Sequence, residues 1–105
     1  MSIIMTLRVQ GDAEKLERLA AENPGVMRSI TDSAKEHGLI AHRFYGSEGQ
    51  IMVVDEWPDP ESFQRFFESA SSEIEPMMQE VTGGKQPEVT FWRKLETFDD
   101  VGWDS

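Results

Sequence analysis

Apolar and polar positions change period several times along the chain. From Ser2 to Gln10, Ile3, Met5, Leu7 and Val9 alternate with Ile4, Thr6, Arg8 and Gln10, the two-residue period of a strand. One register is wholly apolar and the other turns polar toward its end, as in a strand with helices on one face only. Gly11-Asp12 ends this strand, with Asp12 as the N-cap of a helix and Glu14 at its positive end. Leu16, Leu19 and Ala20 recur at helical spacing until Asn23-Pro24-Gly25 breaks the run. A second helical stretch is predicted from about Val26 to His37, buried through Val26, Met27, Ile30 and Ala34, with Gly38 at its C′ position.

The pattern then returns to strands. Leu39–Tyr45 and Gln50–Trp57 flank Gly46-Ser47-Glu48-Gly49, which predicts a β-hairpin with a four-residue turn. If Tyr45 pairs with Gln50, His42 faces Val53, and His42, Phe44, Asp55 and Trp57 share one sheet face; a one-residue slip would reverse this. Pro58-Asp59-Pro60 ends the hairpin, Asp59 capping a helix that has Pro60 at its first position. Phe63, Phe66, Phe67 and Ala70 start its apolar stripe, which Ile74, Met77, Met78 and Val81 continue. Ser71-Ser72 and Pro76 suggest a weakening or restart there, and Gly83-Gly84 a stop. Glu88–Phe98 reads as the last strand.

The order βαββαβ predicts an α+β fold: a ferredoxin-like, split-βαβ domain with a four-stranded antiparallel sheet. It spans residues 1–98, followed by an acidic tail over 99–105 that carries Trp103. Helices cover one face of such a sheet. The other face is bare and partly apolar, and a second copy of the chain is its simplest cover. Within the tail, Trp103 is expected to dock on the domain or across that dimer.

Composition narrows the functional classes. At 105 residues with a 38% hydrophobic share, the chain is one domain that can close a core without metals or disulfides. A net charge of −10 with scattered basic residues argues against nucleic acid and against an anionic membrane surface. There is no cysteine, hence no thiolate site. Neither a signal-peptide pattern nor an apolar run of the ~20 residues that span a bilayer is present, so a cytoplasmic location is expected. Gly83-Gly84-Lys85 lacks the spacing of a phosphate loop. His37 and His42 fall on a helix end and a strand, a poor metal pair.

Val54-Asp55-Glu56-Trp57-Pro58-Asp59-Pro60-Glu61-Ser62-Phe63 and the helix through Phe67 carry a resemblance. The order, the length and this stretch resemble the dimeric α+β barrel superfamily, in particular antibiotic-biosynthesis-monooxygenase-like domains. In these a strand ends in an acidic residue, then an aromatic, then an Asp-initiated helix. The His42-Arg43-Phe44 and Phe91–Leu95 stretches are similar to those of actinobacterial members. The topological resemblance covers nearly the whole chain. One departure is clear: family members often carry a His about three residues beyond the position of Phe63, and this chain has Phe66 there.

The resemblance implies a homodimer and a cofactor-independent monooxygenase-like activity on a small aromatic or polyketide-like substrate. Such a substrate supplies the electrons as an enolate. The protein removes a proton and holds the anion in a dry cavity. On that reading His42 is the base, oriented by Asp55. Trp57 and Trp92 wall the pocket, Phe44 shares its face, Tyr45 positions the substrate, and Arg8 stabilises the anion. Each has a plainer reading: a half-buried His hydrogen-bonded to a neighbour, aromatic packing, a surface Tyr at a turn, and an Arg paired with an acid such as Glu88. Two other functions fit the same resemblance. One is a haem-binding or haem-degrading protein with His42 as the axial ligand. The other is a non-enzymatic dimer that binds a small molecule.

Overall fold

Strand β1 (Ile3–Gln10) follows the alternation of its sequence: Met5, Leu7 and Val9 are buried, while Arg8 and Gln10 are exposed. In a computed structural model that describes residues 1–103, six further elements follow. These are α1 (Ala13–Glu22), α2 (Pro24–Glu36), β2 (Ala41–Ser47), β3 (Gln50–Trp57), α3 (Pro60–Thr82) and β4 (Glu88–Trp92). All strand pairs are antiparallel and the sheet order is β2-β3-β1-β4. The ferredoxin-like α+β fold expected from the sequence is the fold observed.

Local chemistry sets the helix ends. Asp12 accepts the Lys15 N–H at 3.2 Å to start α1, and Pro24 opens α2 rather than merely ending α1. Asp59 accepts both the backbone N–H and the hydroxyl of Ser62 at 2.8 Å, with Pro60 at the first position of α3. At its far end Gly83 takes φ +66°, a left-handed conformation that a side chain would strain. Helix α3 runs unbroken through Ser71-Ser72 and Pro76, where the sequence suggested a restart. A stripe from Phe63 to Val81 holds it on the sheet, and that burial outweighs the weak local propensity.

The Ser62 N–H and hydroxyl hold the Asp59 carboxyl below its ordinary range. A depressed folded value means that the cap stabilises fully above the ordinary carboxylate range of about 4 and stops doing so as pH falls through the lowered value. Thermal melts from neutral to acid pH should therefore show a steeper acid loss for the native chain than for Asp59→Asn. Parallel curves would show that the cap charge contributes nothing.

The hairpin differs from expectation in one instructive way. Ser47 pairs with Gln50, so the turn is the two residues Glu48-Gly49 and His42 lies opposite Asp55, not Val53. This shift of two residues leaves every side chain on its expected face. Strand β2 accordingly starts two residues later than predicted. Gly46 stays in the strand because it passes over α1: an added Cβ there would stand 2.8 Å from the Ala13 Cβ. Gly46→Ala should cost roughly 1–3 kcal/mol through overpacking, read as a lowered urea midpoint. An unchanged midpoint would mean that β2 yields freely.

Strand β4 stops at Trp92, not Phe98, within one residue of the end of its partner: Trp92 pairs with Ile4, and β1 begins at Ile3. Beyond it, Trp103 is 85% exposed on its own domain. The predicted docking on that domain does not occur.

Candidate functional site

Alternation sorts the chemistry-bearing side chains onto two faces. On the helix side lie Met5, Leu7 and Val9 of β1, Val53, Asp55 and Trp57 of β3, and His42 and Phe44 of β2. Between this face and helices α2 and α3 is a cavity of about 420 Å³, within the usual range for small-molecule sites. Its walls are mostly apolar: Leu7, Ile30, Phe44, Val53, Phe66 and Met77 represent its contributing elements.

His42 and Asp55 put a polar group in this apolar wall. His42 Nδ1 lies 2.6 Å from Asp55 Oδ1, and the Trp57 indole N–H donates to Asp55 Oδ2 at 3.1 Å. Both carboxylate oxygens thus face a ring nitrogen, and the carboxyl, on a residue 5% exposed, cannot turn without losing a hydrogen bond. With Nδ1–H donating to Asp55, the imidazole presents Nε2 as an acceptor. Nε2 makes no hydrogen bond among the described residues. Phe44 meets the His42 ring edge-on, with centroids 5.1 Å apart, and fixes its tilt. The His42 side chain is 29% exposed. This is a half-buried imidazole of fixed orientation at the wall of an apolar cavity.

The other end of the cavity is also polar. Thr82, Lys85 and Gln86 line it, and the Val81 carbonyl accepts the Asp12 N–H just beyond the end of β1. Asp55 pairs with Met5 and Ile51 with Val9. The two ends are therefore separated by most of the Met5–Val9 run, about 13 Å at ~3.3 Å per residue. The space is elongated and mainly apolar.

The other residues singled out in the sequence go elsewhere. Trp57 is fully buried, packed on Phe63 and Phe66 with centroids 5.8 and 5.6 Å apart, and it does not line the cavity. It holds Asp55 instead of walling a ligand. Arg8, Tyr45 and Trp92 project from the opposite, open face. There Arg8 pairs with Glu88 at 3.2 Å, the Trp92 indole donates to Thr6 at 2.8 Å, and Arg43 donates to the Tyr45 hydroxyl at 3.3 Å. From that face they do not reach the cavity. Phe66, where the resemblance expects His, is buried beside Trp57 and offers no ligating atom. Haem ligation would fall to His42 alone. Ile30, Ile74, Met77 and Met78 line the cavity although the sequence presents them as core or interface stripes. Their helical spacing signals burial but not what they are buried against.

No protein-family model and no curated protein matches the chain. Solved structures do match over nearly its full length. A dimeric ferredoxin-like protein from an uncultured marine organism is 17% identical, with a TM-score of 0.64, over 95% of this chain and 93% of that one. SnoaB, a cofactor-independent oxygenase from Streptomyces nogalater, is 11% identical with a TM-score of 0.63, over 94% and 98% of the two chains. An antibiotic biosynthesis monooxygenase is 11% identical with a TM-score of 0.57, over 91% and 100%. At these identities the likeness is one of fold. Together with the sheet order and the single helical layer, it shows that this chain has a ferredoxin-like α+β fold, which it shares with these proteins.

Proposed function

We propose that this chain is a monooxygenase-like enzyme that deprotonates a flat, enolisable aromatic ketone in the cavity between sheet and helices and lets the anion react with dioxygen. The observation that carries the reading is the His42 Nδ1–Asp55 Oδ1 contact of 2.6 Å at the wall of a largely apolar cavity. His42 Nε2 takes a proton from a ring methylene conjugated with the carbonyl, and Asp55 faces the positive charge the imidazole gains. The apolar walls keep water from the carbanion. Electrons pass from the carbanion to dioxygen, a C–O bond forms, and the resulting peroxide anion takes back the proton from His42 to become a hydroperoxide. Loss of water from it leaves a new carbonyl. A methylene and dioxygen thus become a carbonyl and water, with dioxygen as the oxidant. SnoaB, described as a cofactor-independent oxygenase, shares the fold, which supports the reaction class.

The same reading takes the protein as a homodimer. Ile4, Tyr45 and Trp92 leave apolar surface on the open sheet face, and one structure of the same fold is a dimeric protein.

Anthrone is a suitable probe because its central methylene is acidic and its quinone product is followed by its near-ultraviolet absorption. The expected result is quinone formation well above the spontaneous rate, with one dioxygen consumed per quinone. A rate equal to the spontaneous one for the native chain would overturn the reading.

A further inference from the structure

The cavity between sheet and helices has one cation that no acid holds. Lys85, in the loop after α3, lines its end opposite Asp55. It makes no ion pair among the described residues, although the chain has 20 acidic residues against 10 basic ones. No other Lys or Arg lines the cavity. Of the acids that do, Asp55 sits at the far end with both oxygens engaged by His42 and Trp57. Glu75 lies two turns before Thr82 on α3, roughly 10 Å along the helix at ~1.5 Å per residue.

The loop is shaped around this position. Gly83 and Gly84 take φ +66° and +86°, which turns the chain sharply out of α3. The Gln79 amide lies over Gly84, where an added Cβ would stand 3.2 Å from its Nε2. Gln79 and Gln86 thus join Lys85 in the lining with their amide groups. Without Lys85 this end would disfavour an anion. Helix α3 stops here with no basic residue in its last turn, and a helix C-terminus carries partial negative charge. One lysine therefore decides the sign of charge that this end accepts. An apolar group seated there would strip water from the ammonium and replace none of its hydrogen bonds; an anionic oxygen replaces them. A single ammonium in a chain of net charge −10 matches one negative charge, that of a carboxylate, better than a phosphate dianion.

We infer that Lys85 is the specificity-determining residue of this cavity. It pairs with a carboxylate on the part of the ligand remote from His42, and Gln79 and Gln86 donate to the same group. The inference rests on the function proposed above for the aromatic ring system and deepens it: the substrate is a polycyclic aromatic acid.

Equilibrium dialysis tests this with two unreactive probes of nearly the same shape, anthraquinone-2-carboxylate and its neutral carboxamide. The native chain should bind the carboxylate about tenfold more tightly. Lys85→Met should remove that preference, Lys85→Glu should invert it, and Lys85→Arg should keep most of it. Lys85 is exposed in a loop, so these variants should stay folded. A lysine that serves only the end of α3 would change the melting temperature and leave the ratio of the two affinities as it is, which would overturn the inference. Equal affinities in the native chain, or binding of neither probe, would overturn it too. Neither probe turns over, so the outcome does not depend on the reaction. Anthrone oxidation by a native chain that lacks the preference would remove the subsite alone and leave the proposed function standing. The preference without anthrone oxidation would remove the oxygenase reading and keep Lys85 as the carboxylate anchor.

Discussion

His42→Gln is expected to abolish most anthrone turnover while the protein stays folded. The glutamine amide can donate to Asp55 in place of Nδ1–H, but it has no basic nitrogen in place of Nε2. A positioned general base contributes typically 10²–10⁴-fold, so the rate should fall by about that factor. His42→Ala is the less clean experiment. It leaves Asp55 Oδ1 without its 2.6 Å partner in a buried setting, which costs roughly 1–3 kcal/mol, so lost activity and lost stability would arrive together. The pair separates the roles. Both variants inactive with only the alanine destabilised is the result expected of a base. Full turnover in His42→Gln would remove His42 from the chemistry. The remaining role for the contact would be structural, and the non-enzymatic ligand-binding reading would gain.

How much of this was legible in the sequence depends on which distances mattered. Face membership was legible, because it needs only parity. His42, Phe44, Asp55 and Trp57 come out together even though the expected turn was two residues too long. The direct opposition of His42 and Asp55 was not legible. Gly46-Ser47-Glu48-Gly49 fits a four-residue and a two-residue turn equally well in composition. The choice is made far away in sequence, where Gly46 lies against Ala13. Parity also carried information left unused: with His42 and Phe44 facing the helices, Tyr45 must face away, and the pairing of Trp92 with Ile4 puts Trp92 there too. An aromatic at a strand end can wall a cavity or fill a core, and composition does not separate the two. The answer for Trp57 lies in tertiary packing, where Phe63 and Phe66 enclose it. The length of β4 shows the same limit: it stops within one residue of its neighbour's end.

Trp57→Ala should be the most destabilising single substitution considered for this chain, because two separate losses coincide. The indole is fully buried between Phe63 and Phe66, and removing so large a side chain from a core typically costs about 3–5 kcal/mol. It also leaves Asp55 Oδ2 without the N–H that donates to it at 3.1 Å, a further cost of roughly 1–3 kcal/mol. Domains of this kind hold about 5–15 kcal/mol in all, so the variant should be largely unfolded or close to it at room temperature. Trp57→Phe divides the two losses, since it keeps most of the apolar ring and removes the donor. It should fold with a modest drop in urea midpoint. If Asp55 must be held to orient His42, its anthrone rate should fall while the Michaelis constant stays near the native value, because Trp57 does not line the cavity. Circular dichroism is the right monitor for stability. Trp92 and Trp103 are exposed and dilute any fluorescence change, although the blue-shifted part of the emission should vanish in both variants. A Trp57→Phe protein of native rate and native midpoint would show that the indole N–H positions nothing.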